Sequence, residues 1–179
     1  MEFPDVYMIL EGYSARVIRE FYTHIGGAPT RLQSSTRYIN YQKGFEYIIP
    51  PSLEKSLDAS AALQIYRNTM KNIQQSLQTL EGLGVPREDT ALLLPLAMST
   101  TVAVKMNSRT LTDMSRQRQC SRAYWEFRGL FKDISESLKN YSPEWKVFVE
   151  MNFMPKCEVY GYCPEKKSCG RKPPKQENT

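Results

Sequence analysis

A run of cations set into a core-patterned helix constrains this chain more than any other feature. Asn107, Arg109, Asp113, Arg116 and Arg118 interleave with Leu111 and Met114, and the run continues into Tyr124, Trp125 and Phe127. That spacing predicts a helix from Ser108 to about Asn140 with its apolar face in a core. Guanidinium is the natural bidentate partner of phosphate, so arginines at this density point to a bound anion. A solvated basic face is the plainer alternative, but the neighbouring aromatics imply burial on more than one side, and burying unpaired charge is costly. Arg109 and Asp113 share a helical face by their spacing, as do Arg118 and Arg122. Arg109 and Arg118 fall on different sides, so one serves a first ligand and the other a second ligand or a neighbouring subunit. A second basic and polar cluster, from Thr30 to Tyr38, holds Arg31, Gln33, Ser35 and Arg37. Two such clusters read as a site for phosphorylated small molecules.

The rest of the chain predicts an α+β fold, helix-rich and built as a single domain with a small antiparallel sheet. Val6 to Leu10 reads as a strand. Ser14 then caps a helix through about Ile25, where Gly26-Gly27 ends it. Tyr38 to Tyr41 and Phe45 to Ile49 read as two strands of a hairpin turning at Lys43-Gly44, closed by Pro50-Pro51. A long helix opens at Ser52 or Ser56 and runs to about Leu83. Pro86 starts another, with Glu88 and Asp89 at its positive end. Leu92 to Leu96 is apolar enough to be read as buried, and Ser99 to Met106 is strand or helix. Ser142-Pro143-Glu144 opens a last short helix. These elements place one domain over residues 1–154, followed by a Cys-, Lys- and Pro-rich tail over 155–179 with little to pack. Pro173 to Thr179 is expected to be disordered.

Composition narrows the chemistry. The chain has 179 residues, 41% of them hydrophobic, and a formal net charge of +5, which favours anionic partners without choosing between nucleotides and nucleic acid. No apolar run approaches the ~20 residues of a membrane span, and the first residues lack a secretory pattern. No membrane partner is therefore expected, and a cytoplasmic location is. One histidine, His24, leaves no material for a histidine metal site or a Ser-His-Asp triad. Cys120 lies among Arg116, Arg118 and Arg122, which favours a thiolate, yet a buried inert thiol suits the helix as well. Cys157, Cys163 and Cys169 are spaced Cys-x5-Cys-x5-Cys, without the short pairs of a zinc knuckle and without an evident fourth ligand. They are read as reduced thiols on a surface loop, and no metal site is assigned.

The motifs themselves resemble those of the flavin-dependent thymidylate synthases (the ThyX family). Asn107-Ser-Arg109-Thr-Leu111, Arg118 and Ala123-Tyr-Trp-Glu-Phe-Arg128 are similar to that family's Asn-x-Arg-Ser-Leu segment, its later arginine and its Ala-Gln-Trp-Glu-Ile-Arg stretch. Leu94-Pro95-Leu96 matches its lead-in, Ser35, Arg37 and Tyr38 match the end of its upstream signature, and Pro50-Pro51 stands before a long helix. The resemblance spans most of Ser14 to Glu150.

The resemblance implies reductive methylation of dUMP to dTMP with methylenetetrahydrofolate as carbon donor, FAD as hydride carrier and NADPH as reductant. It implies a homotetramer with sites shared between subunits, and no nucleic-acid partner. By position, Gln33, Ser35, Arg37 and Arg87 bind dUMP, Arg118 binds it beside the flavin as the catalytic residue, and His24, Asn107, Arg109 and Asp113 bind FAD.

The chain departs from the pattern in places. Ile25, Gly26 and Gly27 stand where Arg-His-Arg is usual. A two-residue insertion puts His24 over the histidine but leaves Thr23 and Ile25 for the arginines, with Arg19 or Arg31 to compensate. Ala91 replaces an arginine, and Arg87 lies one turn earlier. The chain also begins late against the family's N-terminal segment, as expected of a compact branch or of drifted chemistry. Two alternatives stay open: a related flavin- and folate-dependent hydroxymethylation, and a basic nucleic-acid-binding protein with steeply salt-dependent binding.

Overall fold

In the computed structural model, which describes residues 4–24, 30–41 and 43–175, the elements are β1 (Asp5–Ser14), α1 (Ala15–Phe21), β2 (Thr30–Gln33), α2 (Ala59–Gly82), α3 (Arg87–Thr90), β3 (Ser99–Asn107), α4 (Ser108–Arg118), α5 (Trp125–Tyr141), α6 (Pro143–Asn152) and α7 (Lys156–Tyr160). A single 3-10 turn, Ala91–Leu93, follows α3. The three strands form an antiparallel sheet in the order β1-β3-β2, so the fold is α+β and helix-rich. The chain divides into two compact units. Unit I comprises Met1–Tyr7, Phe21–Thr30 and Lys105–Thr179, and unit II comprises Met8–Glu20 and Arg31–Val104.

Burial settles the character of 99–107, which sequence left between strand and helix. Thr100, Val102, Val104 and Met106 are buried and the residues between them are not, the two-residue period of a strand. Ser14 caps α1 as expected, accepting the Val17 N–H at 3.2 Å. That helix ends at Phe21, and the predicted Gly26-Gly27 stop lies outside the described residues.

Unit II corrects three expectations. Tyr38 to Tyr41 is turn and coil, so no hairpin forms across Lys43-Gly44. The segment read as its second strand pairs elsewhere: Tyr47 bridges Met98 antiparallel, Ile48 N–H donates to Ala97 O at 2.9 Å, and Ser99 N–H donates to Glu46 O at 2.8 Å. The cause is packing. Tyr41 is buried with Leu77 and Met98, and Phe45, Ile73 and Leu94 lie against them, which turns the chain toward α2. Gly44 makes this turn at φ 107°, where a Cβ would meet the Gln74 side chain at 2.9 Å.

Neither Ser52 nor Ser56 opens the long helix. The cap is Asp58, whose carboxylate accepts the Ala61 N–H at 2.9 Å, while the Ser56 hydroxyl is spent on Leu53 O in the preceding turn. Leu92, Leu93 and Leu96 are exposed rather than buried, and of that run Leu94 packs on the cluster. A run of leucines says nothing about which faces find a partner. Leu57, Ile65 and Leu83 are exposed on the same unit.

Unit I corrects the single helix predicted over 108–140. It breaks after Arg118, where the Gln119 N–H donates back to Ser115 O, and it restarts at Trp125. The six residues between the helices form a turn in which Ser121 and Arg122 are exposed and Cys120, Ala123 and Tyr124 are half-buried. As a result Arg122 does not share a helical face with Arg118; it sits in the turn and donates to Lys167 O at 3.0 Å. The break lets α5 bury Phe127, Leu130, Phe131, Ile134 and Leu138, and α5 packs along α6. Buried polar residues of α4 stay satisfied within the helix: Thr112 donates to Ser108 O and Ser115 to Thr112 O. Ser142 caps α6 with Pro143 just inside, as expected.

The tail has more structure than its composition suggested. Beyond α7, Gly161 takes a left-handed φ of 75°, Cys163 N–H donates to Pro173 O, Cys163 bridges Pro174, and Lys172 pairs with Glu158 at 2.9 Å. Cys157 and Cys163 are buried, so they are not the surface thiols that their spacing suggested. Of the stretch expected to be disordered, residues 176–179 lie outside the described residues.

Candidate functional site

Each unit carries part of the candidate set. In unit I, His24 and Arg118 stand far apart in sequence and meet. Arg118 Nε–H donates to His24 Nε2 at 2.7 Å. The Arg118 guanidinium lies 4.5 Å from the centroid of the Phe127 ring, and His24 meets that ring edge-on at 5.7 Å. Phe127 is fully buried and stacks on Phe21 at 6.1 Å. An aromatic face under a guanidinium and an acceptor at its Nε fix the plane of the charge before any ligand arrives. The helix break supports this geometry: Arg118 ends α4 where a cation is favoured, and Phe127 lies in the first turn of the next helix.

The acceptor role requires a neutral imidazole, with its proton on Nδ1. Burial first, and the Arg118 charge second, push the His24 pKa down from 6.5 to about 4. The sign follows. The unfolded chain takes up this proton near 6.5 and the folded chain only near 4, so the stabilisation is present above 6.5 and is lost as the pH falls toward 4. His24→Gln keeps an acceptor that does not titrate. It is expected to flatten the dependence of the unfolding midpoint on pH over that window. An unchanged slope would place the titration on another group.

Asn107 caps α4, its Oδ1 accepting the Thr110 N–H at 2.8 Å. Arg109 and Asp113 are exposed on the same helix, and Asp113 pairs with Arg116 at 3.2 Å. Asn107 thus stands at the positive end of α4 and Arg118 at the negative end.

In unit II, Gln33 lies on β2 and donates from Nε2 to Thr100 Oγ1 at 3.4 Å. Ser35 Oγ accepts the Arg37 N–H at 3.4 Å, and the Arg37 guanidinium pairs with Glu88 at 2.8 Å. Both partners of that pair are more than half exposed, where an ion pair is worth ~0–1 kcal/mol, so an anionic ligand can displace Glu88 at small cost. Arg87 stands 3.7 Å from the nearly buried carboxylate of Glu81. Three roles were missed from sequence: Phe127 as a platform, read as core, and Glu88 and Glu81 as arginine partners. Arg118 and Phe127 lie nine positions apart, which signals nothing until the helix is known to break between them.

Comparison with known proteins decides the family. The profile described as "Thymidylate synthase complementing protein" matches residues 1–144. The chain belongs to this family. A flavin-dependent thymidylate synthase of Clostridium tetani is 33% identical over 153 residues, covering 78% of this chain and 59% of that protein. One from Nitratidesulfovibrio vulgaris is 30% identical over 151 residues, covering 80% and 60%. The chain thus spans about three fifths of the length of these relatives. The crystal structure of Thymidylate Synthase X from Helicobacter pylori with FAD and dUMP is similar in fold at a TM-score of 0.58 and 19% identity, covering 75% of this chain and 67% of that one. Among the described residues, no helix is long and apolar enough to cross a membrane.

Proposed function

We propose that this chain carries out flavin-dependent reductive methylation of dUMP to dTMP, with methylenetetrahydrofolate as carbon donor and NADPH as reductant. The observation that carries this reading is the His24–Arg118–Phe127 cluster: two residues chosen from separate motifs meet in space, and an aromatic ring underlies the charge. Family membership and the FAD and dUMP held by the Helicobacter pylori relative add support.

In this reading Arg118 is the catalytic cation, held in plane by neutral His24 and Phe127 to meet negative charge on the pyrimidine. Ser35, Arg37, Gln33 and Arg87 hold dUMP, with Arg37 exchanging Glu88 for phosphate. The residues fit a flavin: a neutral imidazole beside an aromatic edge suits a ring system, and an arginine near the start of a helix suits its phosphates. His24, Asn107, Arg109 and Asp113 would hold FAD, which supplies hydride when bound.

Residues 1–154 form the binding domain and 155–179 an added tail. The protein works in the cytoplasm as a homotetramer with shared sites, and the exposed Leu57, Ile65, Leu83, Leu92 and Leu96 offer apolar surface for self-association.

The test is direct. The purified protein is expected to be yellow, or to take up added FAD, and its flavin spectrum to shift with dUMP. With FAD, NADPH and methylenetetrahydrofolate it releases tritium from labelled dUMP, and product identification separates methylation from hydroxymethylation. A colourless protein that fails to take up FAD sinks the reading.

A further inference from the structure

All four cysteines of the chain line one cavity of unit I, although they come from two distant segments. The cavity, about 290 Å³, lies between the turn that follows α4 and the tail, and no disulfide joins the thiols. Little apolar burial holds the tail. Beyond α6 the buried side chains among the described residues are Phe153, Pro155, Cys157 and Cys163, and the regular structure is the five-residue α7 and one bridge. Segments with so small a core keep a fold through cross-links, either disulfides or a structural metal.

We propose that Cys120, Cys157, Cys163 and Cys169 bind one zinc ion that ties the tail to the turn after Arg118. A structural zinc site takes four tetrahedral ligands, thiolates at ~2.3 Å among them. The tail's own spacing lacked the fourth ligand, and the fold supplies it as Cys120. Four thiolates around zinc leave a net negative charge. Arg116, Arg118, Arg122, Lys156, Arg171 and Lys172 line the same cavity against the single carboxylate of Glu165. Gly170, directly after Cys169, takes a φ of 87°, which lets the chain reverse at that ligand.

Among the described residues, no three His, Cys, Asp or Glu side chains stand as a ready coordinating group. The four thiols therefore have to converge on the ion across the cavity they line. Each thiol gives up its proton on ligation, and no electron moves.

The full chain, purified under reducing conditions from zinc-containing medium, is expected to carry one zinc per chain, released as its thiols are titrated by a mercurial. Cobalt exchanged into the unaltered chain gives the tetrahedral absorption and the thiolate charge-transfer bands of a four-sulfur site. Cys120→Ser and Cys169→Ser each lower zinc retention by at least about tenfold. The cobalt spectrum needs no variant, so a misfolded substitution leaves the test intact. Flavin uptake on the same preparations reads the proposed activity separately.

Three results overturn the proposal. One is a chain that takes up neither metal while its four thiols alkylate freely. Another is the two-hydrogen mass loss of a disulfide, and the third is a cobalt spectrum without thiolate bands.

Discussion

Arg118→Ala is expected to lower dUMP affinity by at least about 30-fold while leaving the chain folded, because losing one buried hydrogen-bonded charge from a complex typically costs 2–5 kcal/mol. The fold survives because Arg118 is only half-buried, and solvent can reach the His24 nitrogen it leaves behind. Arg118→Lys restores little. An ammonium keeps the charge but not the plane that the Phe127 face and His24 Nε2 define together. Titration of flavin absorbance with dUMP, beside a thermal melt of each variant, reads both halves. Wild-type affinity in Arg118→Ala removes the residue from the site.

Phe127→Ala is expected to cost about 3–5 kcal/mol of stability, the range for a buried phenylalanine cut to a methyl group. Its ring is fully buried, stacked on Phe21 and touched by His24, so the loss opens a cavity and releases Arg118 at once. Phe127→Leu separates the two effects. It nearly fills the volume, at less than about 1.5 kcal/mol, but removes the π face, whose cation contact is worth ~0.5–2 kcal/mol. The leucine variant should stay folded in urea and bind dUMP more weakly. If it binds like the unaltered chain, the ring is core and not platform.

The motifs of α4 and α5 were legible because they are local. Helix period, the Ser142 cap and arginine density are all written within a few residues of one another. The failures were equally physical. The Tyr38–Tyr41 and Phe45–Ile49 segments alternate well enough for a hairpin, yet Tyr41 found Leu77 and Met98, and the backbone at 46–48 found 97–99. Leu92 to Leu96 is apolar and still mostly exposed, since hydrophobicity records a tendency and not a partner. Asp58 took the cap from Ser56 because the Ser56 hydroxyl was already committed in the turn before it.

By itself the sequence carried the resemblance to the family, the helical character of most elements and which cations to watch. Side-chain type and short-range spacing carry all of that. The tertiary structure decided which of those residues act on one another: His24 with Arg118, the Phe127 ring beneath the guanidinium, and Cys120 with the three tail cysteines around one cavity. The physical reason is that a contact between residues tens of positions apart depends on where the helices break and which faces they bury. Those outcomes come from packing, and no local pattern encodes them.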